Sequence, residues 1–191
     1  VFLGEPLSET IKYALSGNWR CGTDTLPKTL NVTDRNRTSP FAFTGNKFEF
    51  RMVGSAASIA DVNTTLNTIV AESLKQFADK LENETDLWQG VKDIIADVFE
   101  RHKRVLFDGN NYSESWLYEA KRRGLVIADT VQSIRELSDE QNVGLFERHG
   151  ILTRREQLAR QEILFETYCD AIRVESAVTC EIVEKQISPY V

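Results

Sequence analysis

Charged and large apolar residues alternate in one short segment of the chain, where a chemical site could form. The alternating positions are, in order, Lys47, Phe48, Glu49, Phe50, Arg51 and Met52. A period of two is typical of a β-strand, because successive side chains of a strand point to opposite faces. The pattern predicts a strand near residues 46–53 whose apolar face packs on a core. Its charged face would then point into solvent or into a site.

The charged face of this strand has two interpretations. The first is an ordinary solvated surface, since exposed charges are common and isolated surface ion pairs contribute little to stability. The second is a site for a metal-bound, phosphorylated ligand. There Glu49 would bind Mg²⁺ or Mn²⁺, which prefer oxygen ligands, Arg51 would bind a carboxylate or phosphoryl group through its planar guanidinium, and Lys47 would neutralise phosphate charge. Alternation alone favours the solvated surface.

Other residues that could take part in chemistry are few. Arg35 and Arg37 lie upstream of the strand, and beside a metal-binding carboxylate they would be candidate phosphate clamps. The sequence contains no Walker A run and no G-x-G-x-x-G fingerprint, which excludes phosphate binding by those glycine-rich loops. His102 and His149 stand among charged residues near predicted helix ends, without a second histidine or a cysteine at metal-ligand spacing. We interpret them as complementing the negative end of a helix dipole.

The predicted secondary structure of the chain changes near residue 60. Before it, a short helix is predicted at residues 6–16 and an extended connection at 18–44. After it, apolar residues recur at helical spacing almost to the end of the chain. The predicted helices cover about residues 63–83, 85–107, 113–124, 129–137, 138–150 and 154–187. The sequence therefore predicts an α+β protein that is mostly α-helical, with one clear strand and a long C-terminal helix in a helical bundle.

Local signals predict several helix ends. Ser113 is expected to be an N-cap, and Gly124 is expected to end the same helix. Two capping boxes are predicted from the spacing of a hydroxyl residue and a Glu or Gln three positions later. These pairs are Ser138 with Gln141 and Thr153 with Glu156. Trp88 and Trp116 lie at amphipathic positions and are predicted to be core residues.

The last predicted helix, residues 154–187, carries an irregular apolar stripe. The stripe consists of Leu158, Phe165, Cys169, Ile172, Thr179, Ile182 and Ile187. Its spacing is too irregular for a long coiled coil, so the helix is predicted to pack along a helical bundle. Pro189 is expected to end it, because proline cannot continue the helical hydrogen bonding.

Composition limits the class of protein. A net charge of −6 argues against a broad nucleic-acid surface, which needs an excess of basic residues. No apolar run approaches the roughly 20 residues of a membrane span, and the start of the chain lacks a signal-peptide pattern. We therefore expect neither a nucleic-acid nor a membrane partner. Cys169 and Cys180 would lie roughly 16 Å apart on one helix, too far for a disulfide, which favours reduced cysteines in a cytoplasmic protein.

Two motifs of the chain resemble the late catalytic motifs of glutamine synthetases. They are the loop Asn36-Arg37-Thr38-Ser39 and the strand Phe48-Glu49-Phe50-Arg51. The longer string NRTSPFAFTGNKFEFRMVGS, residues 36–55, is similar specifically to the type III glutamine synthetases, as is the segment Gly150-Ile-Leu-Thr before the long helix. The resemblance covers essentially the whole chain.

The resemblance implies ATP-dependent ligation of ammonia to glutamate through a γ-glutamyl phosphate intermediate. Glu49 matches the family's metal-binding glutamate, for Mg²⁺ or Mn²⁺, and Arg51 matches the arginine that contacts the glutamate substrate and the transferred phosphoryl group. Arg37 matches the loop arginine on the ATP phosphates. Lys47 falls where other members carry a nucleotide-contacting arginine, whose two-pronged hydrogen bonding a lysine does not reproduce. The segment after the strand, 52–58, also departs from the Pro-Asp-rich segment of the commoner types.

The resemblance also implies how the chain is organised. Residues 1–65 would be the C-terminal part of the catalytic domain and residues 66–191 a helical extension, in a large ring-type homo-oligomer. The chain begins at Val1 and its only methionine is Met52, so we expect a piece of a longer protein that supplies the other metal ligands. The piece alone is then expected to be inactive. The alternatives are a helical oligomerisation or regulatory module without chemistry of its own, and a stand-alone binding protein.

Overall fold

The fold comes from a computed structural model. It describes residues 9, 11–13, 16, 41–43, 48–51, 54–55, 57–107, 110 and 112–190. The chain divides into two compact units, Val1–Ile127 and Ala128–Val191. The catalytic-domain boundary near residue 65 stays a prediction. Residues 9 and 11–13 are helical, in agreement with the short helix predicted at 6–16, most of which lies outside the described residues.

A two-stranded antiparallel hairpin precedes the helices of the first unit. Its strands are β1, Phe41–Phe43, and β2, Phe48–Phe50. The centre of the predicted strand is thus confirmed, and β2 ends before Arg51, while residues 46, 47, 52 and 53 of the prediction lie outside the described residues. Residues 18–40 of the predicted extended connection also lie outside them. The extended connection predicted to run to residue 44 is wrong at β1, because those residues pair with β2 and local sequence carries no sign of that partner. In this register Ala42 lies opposite Glu49.

A pair of helices follows the hairpin in the same unit. They are α1, Ala60–Leu81, and α2, Leu87–His102. Asp86 begins α2, since its carboxylate accepts hydrogen bonds from two backbone N–H groups of the first turn. Gly90 is buried, and a Cβ at this position would come within 3.0 Å of the Leu81 side chain. Lys80 of α1 donates to Asp97 of α2 at 3.1 Å. The two helices therefore meet through one close apolar approach and one ion pair.

The third helix of the first unit has both of its predicted ends. A 3₁₀ turn, Lys103–Val105, leads towards α3, Glu114–Arg122. Ser113 Oγ accepts a hydrogen bond from the backbone N–H of Trp116 at 3.3 Å, which confirms the predicted N-cap. Gly124 has φ +69°, and the N–H of Leu125 donates to the Ala120 carbonyl at 2.9 Å. This is a Schellman ending, in which glycine adopts the left-handed conformation without a Cβ penalty.

The second unit consists of helices around a small apolar core. Its elements are α4, Thr130–Arg135, a 3₁₀ turn, Glu136–Ser138, α5, Glu140–Arg148, and α6, Arg154–Ile182. The buried side chains are Ile134, Val143 and Phe146, together with Gln157 of α6. With the hairpin of the first unit, these helices confirm the predicted mostly helical α+β class.

The cap of α5 differs from its prediction. Asp139, rather than Ser138, is the N-cap, and its carboxylate accepts a hydrogen bond from the backbone N–H of Gln141 at 2.9 Å. The physical reason is that the Ser138 hydroxyl already donates to the Arg135 carbonyl at 3.1 Å, closing the preceding turn. The Ser138–Gln141 capping box is therefore wrong.

The other predicted capping box is confirmed, and one was missed. Thr153 and Glu156 form a reciprocal box at the start of α6. Asp129 and Gln132 form a second box at the start of α4. Aspartate is as good an N-cap as serine or threonine, so its spacing to a Gln three residues later was a usable signal.

The long helix is continuous as predicted, but its second half is not packed. After α6 the chain forms a π-helical segment, Val183–Ile187, and a 3₁₀ turn, Ser188–Tyr190, which contains Pro189. Every residue from Cys169 to Pro189 is exposed. The prediction of packing along a bundle is therefore right for the first half and wrong for the second, which no other element in the described part of the chain covers. No helix among the described residues is both long and apolar enough to cross a membrane.

Candidate functional site

The predicted charged face is present on β2 and just beyond it. Arg51 Nη2 donates a hydrogen bond to Glu49 Oε2 at 3.1 Å. Both side chains are half-buried, with 28% of the Glu49 side chain and 24% of the Arg51 side chain exposed. A carboxylate accepts several hydrogen bonds and a guanidinium donates up to five, so the pair places the donor and acceptor chemistry of a polar site side by side.

The opposite face of β2 does not pack on a core. Phe48 is 50% exposed and Phe50 is 42% exposed, so both rings are more exposed than the charged side chains. Phe41 covers part of this face, since its ring stacks on Phe48 with centroids 4.9 Å apart. A two-stranded hairpin buries little surface unless a third strand or a helix packs on it. The predicted core contact is wrong for the described residues, and the aromatic face is available for packing.

Three of the predicted site residues, Arg35, Arg37 and Lys47, lie outside the described residues, so their roles stay predictions. Within the part of the chain that the structure describes, no group of three or more His, Cys, Asp and Glu side chains could hold a metal ion. Magnesium prefers six oxygen ligands in octahedral geometry. Glu49 has the right donor chemistry for one of these positions, and no more than one.

A second charged cluster, on α3, was not predicted. The Glu119 carboxylate accepts hydrogen bonds from Arg122 Nε at 2.7 Å and from Arg123 Nε at 2.6 Å. The hydrogen bond from Arg122, followed by that from Arg123, lowers the pKa of Glu119 to about 2. The signal was available, because a Glu followed by Arg at three and four positions is the spacing of helical ion pairs.

Arg123 extends this cluster into a clamp on the connection between α2 and α3. Its Nη1 donates to the Leu106 carbonyl at 2.7 Å, and its guanidinium lies 5.5 Å from the centre of the Trp116 ring. Trp116 in turn packs on Phe107, with ring centroids 3.9 Å apart. The Arg123 guanidinium thus binds groups of the protein itself, namely Glu119, the Leu106 carbonyl and the Trp116 ring, which indicates a structural role. Trp116 was predicted to be a core residue and is half-buried, so that prediction holds only in part. Trp88 is 56% exposed, and its predicted core position is wrong.

The histidines and two of the cysteines lie where they were expected. His102 is the last residue of α2, and His149 is the C-cap of α5. Both are thus at helix C-terminal ends, as the dipole argument requires. Cys169 and Cys180 are free thiols exposed on the long helix.

These features define a class of protein: a mostly helical α+β chain whose short hairpin carries a carboxylate–guanidinium pair. A model of the glutamine synthetase C-terminal domain family matches residues 90–191, slightly more than half of the chain. The chain therefore belongs to the glutamine synthetase C-terminal domain family. The resemblance found from residues 36–55 and from the start of the long helix is confirmed.

Individual relatives agree with this family. The chain is 42% identical to a type-3 glutamine synthetase of Dictyostelium discoideum. The alignment spans 172 residues and covers 88% of this chain and 23% of the relative. It is 34% identical over 210 aligned residues to a glutamine synthetase of Butyrivibrio fibrisolvens, and this alignment covers 98% of this chain and 28% of the relative. A glutamine synthetase of Bacteroides fragilis (strain YCH46) is 30% identical over 207 residues, covering 99% and 28%. The chain spans about a quarter of the length of these curated relatives.

Proposed function

We propose that this chain is part of a cytoplasmic glutamine synthetase that ligates ammonia to glutamate at the expense of ATP. The observation that carries the proposal is the half-buried ion pair between Glu49 of β2 and Arg51 just beyond it, in a chain of this family. ATP phosphorylates the glutamate side chain, and ammonia then displaces phosphate from the γ-glutamyl phosphate. Such chemistry depends on positioning and on neutralising phosphoryl charge.

Each site residue has a role in this proposal that suits its chemistry. The planar Arg51 guanidinium binds and orients the substrate carboxylate or the transferred phosphoryl group. Glu49 would provide one oxygen ligand to Mg²⁺ or Mn²⁺, and the bound ion would supply positive charge that stabilises the phosphoryl oxygens. Arg37 and Lys47 contact the ATP phosphates. The ion pair supports this assignment, because it joins Glu49 of β2 to Arg51, the residue just beyond the strand.

In this proposal, the other metal ligands and substrate-binding residues of the site belong to other parts of the protein. The chain covers about a quarter of the length of its relatives, and Glu49 supplies a single metal ligand. The exposed rings of Phe48 and Phe50 support packing of further β-structure against the hairpin. The chain alone is therefore inactive, and the active enzyme is a ring-type homo-oligomer.

Substitution of Glu49 and Arg51 in the full-length protein tests the proposal. Glu49→Gln removes the charge of a metal ligand, and Arg51→Lys removes the planar guanidinium. Each is expected to lower kcat for glutamine formation by about 100-fold or more, and Glu49→Gln should also raise the Mg²⁺ or Mn²⁺ concentration for half-maximal rate. The matched control is Glu82→Gln, an exposed carboxylate at the end of α1.

Two results would contradict the proposed function. A Glu49→Gln enzyme with unchanged kcat and unchanged metal dependence would show that β2 is an ordinary surface strand. The 191-residue chain, supplied with glutamate, ammonia, ATP and Mg²⁺ or Mn²⁺, is expected to form no glutamine. Turnover above background would refute the statement that essential ligands lie elsewhere.

A second candidate function is assembly or regulation by the helical part, and the exposed second half of the long helix favours it. Truncation after Ile127 tests it, because this cut removes the second compact unit whole. Loss of the oligomer with normal ATP binding by the protomers would indicate an assembly role. Altered ATP or glutamate affinity in an intact oligomer would indicate a regulatory role.

A further inference from the structure

The second half of the long helix, residues 169–187, is exposed along its whole length. Its large apolar side chains are substantially exposed, including Ile172 at 46%, Val183 at 46% and Ile187 at 49%. Surface apolar residues are normal one at a time, whereas a continuous series along a helix marks an interaction surface.

The composition of this segment indicates that the helix needs a partner. Seven of its residues are β-branched: Ile172, Val174, Val178, Thr179, Ile182, Val183 and Ile187. Such residues lose side-chain freedom in a helix and have lower helix propensity than Ala or Leu. Helices in proteins are stabilised mostly by packing of one face. A helix of this composition with no covered face lacks that stabilisation until something packs against it.

The positions of charges show which partner fits. Eleven residues make about three turns of an α-helix, so residues eleven apart lie on the same side. Ile172 and Val183 have this spacing, and so do their following neighbours Arg173 and Glu184. The helix therefore carries an apolar residue flanked by a positive charge near one end, and an apolar residue flanked by a negative charge near the other.

An antiparallel pair of such helices is self-complementary. With a two-fold axis midway between the two ends, Ile172 of one copy lies level with Val183 of the other. Arg173 of one copy then lies beside Glu184 of the other, and the symmetric contact repeats this pair. A parallel, in-register pair would bring each residue level with its own copy and leave Arg173 and Glu184 about three turns apart.

Charge also selects between two apolar sides of the helix. Val174 and Val178 belong to a second exposed stripe. An antiparallel pair through this stripe would place Glu175 beside its own copy and Asp170 beside Glu184. Like charges in these positions oppose pairing. The side that carries Ile172 and Val183 has no such conflict.

We propose that residues 169–187 form an antiparallel helix pair with the same segment of a second copy of this chain. The Arg173–Glu184 pairs set the direction of the two helices. This inference deepens the self-association in the proposed function and rests on it. It concerns the second unit only and is independent of the ligase chemistry at β2.

Charge reversal tests the pair in the full 191-residue chain. Arg173→Glu alone, or Glu184→Arg alone, makes both symmetric contacts repulsive and is expected to weaken the dimer about tenfold in sedimentation equilibrium. An equimolar mixture of the two variants restores both contacts in a heterodimer, so association should return to near the original level. An unchanged dimer in either single variant, or a mixture no tighter than its components, would overturn the proposal.

Lys185→Glu is the matched control for Arg173→Glu. Both changes replace a positive by a negative charge, and both remove an ion pair within the helix, Lys185–Glu181 and Arg173–Asp170. Lys185 follows Glu184 in the π-helical segment, about a quarter of a turn further around the helix from the proposed contact. The control should leave the dimer within about twofold, while circular dichroism shows the same helix content in both variants. A dimer weakened equally by Lys185→Glu would refute a specific Arg173–Glu184 contact.

Cysteine cross-linking tests the direction of the helices. In a background with the three cysteines replaced by serine, Ile172→Cys and Val183→Cys chains of different tag length are mixed and oxidised. The antiparallel pair gives mainly the mixed disulfide between the two tags. Disulfides within each variant alone indicate a parallel pair, and no intermolecular disulfide indicates that something else covers the helix; either result refutes the proposal. If full-length enzyme remains active and oligomeric in that case, the proposed function stands without this helix pair.

Discussion

Gln161 links α6 to the turn that follows α4, and its removal tests how the second unit is held together. The side-chain Nε2 donates to the carbonyls of Ile134 at 2.9 Å and Arg135 at 3.0 Å, and to Ser138 Oγ at 2.9 Å. One amide group thus serves three oxygen atoms with two N–H donors. The perturbation is Gln161→Met, which keeps the length of the side chain and removes every donor.

The expected cost follows from these contacts. A hydrogen bond contributes about 0.5–1.5 kcal/mol net, and a buried acceptor left unsatisfied costs about 1–3 kcal/mol. The Ile134 carbonyl and Ser138 are only partly buried, so water can replace some of the lost bonding. We expect Gln161→Met to lower the free energy of unfolding of the second unit by about 1–2 kcal/mol.

Urea unfolding with native-state hydrogen exchange measures this loss. Exchange separates the two units, because the slow amides around Val143 and Phe146 report on the core of the second unit alone. The control is Gln141→Met, an exposed helical glutamine in the same unit, which should change stability by less than about 0.5 kcal/mol. Equal stability of the Gln161→Met and Gln141→Met variants would refute the reasoning.

Two further outcomes are expected. Gly150→Ala should lower the free energy of unfolding by about 1 kcal/mol, because Gly150 has φ +62°, a left-handed conformation that a Cβ disfavours even though no atom would clash with it. Gly144→Ala, inside α5, should raise the free energy of unfolding by about 0.5–1 kcal/mol, because alanine has the higher helix propensity. Urea midpoints measure both changes. The Glu119 pKa of about 2 lies below its ordinary value of 4.5, so the stability from the Glu119 cluster is present above pH 4.5 and is lost as pH falls towards 2. Glu119→Gln should remove this part of the pH dependence in acid unfolding.

Each of these outcomes has a clear contradiction. If Gly150→Ala and Gly144→Ala change the free energy of unfolding in the same direction, the left-handed conformation of Gly150 does not determine the effect of substitution there. A Glu119→Gln chain that keeps the full acid dependence between pH 4.5 and 2 would assign that dependence to other carboxylates.

The helix ends were predictable where the signal lies within a few residues. Ser113, Gly124 and the Thr153–Glu156 box are confirmed, because each cap joins a side chain or a backbone N–H to a group at most five positions away. The same logic failed at Ser138, where two adjacent residues could both cap α5. The choice fell to Asp139 because the Ser138 hydroxyl is engaged by the preceding turn.

The candidate site was predictable only in part. Alternation predicted that Glu49 and Arg51 share one face of a strand, and their ion pair shows that the two side chains lie together, although β2 ends at Phe50. It also led to a buried aromatic face, which Phe48 and Phe50 contradict. A period of two determines which residues share a face, but which face is covered depends on what packs against the strand.

The sequence by itself determined the class of the chain, the order of its helices and the family to which it belongs, because these depend on local propensity and on short motifs. Tertiary structure alone decided the pairing of β1 with β2, the reach of Arg123 to the Leu106 carbonyl and the contacts of Gln161. Each of these joins residues that are 5 or more positions apart in the chain. Such contacts depend on how elements meet in space, and no local pattern of residue types specifies that meeting.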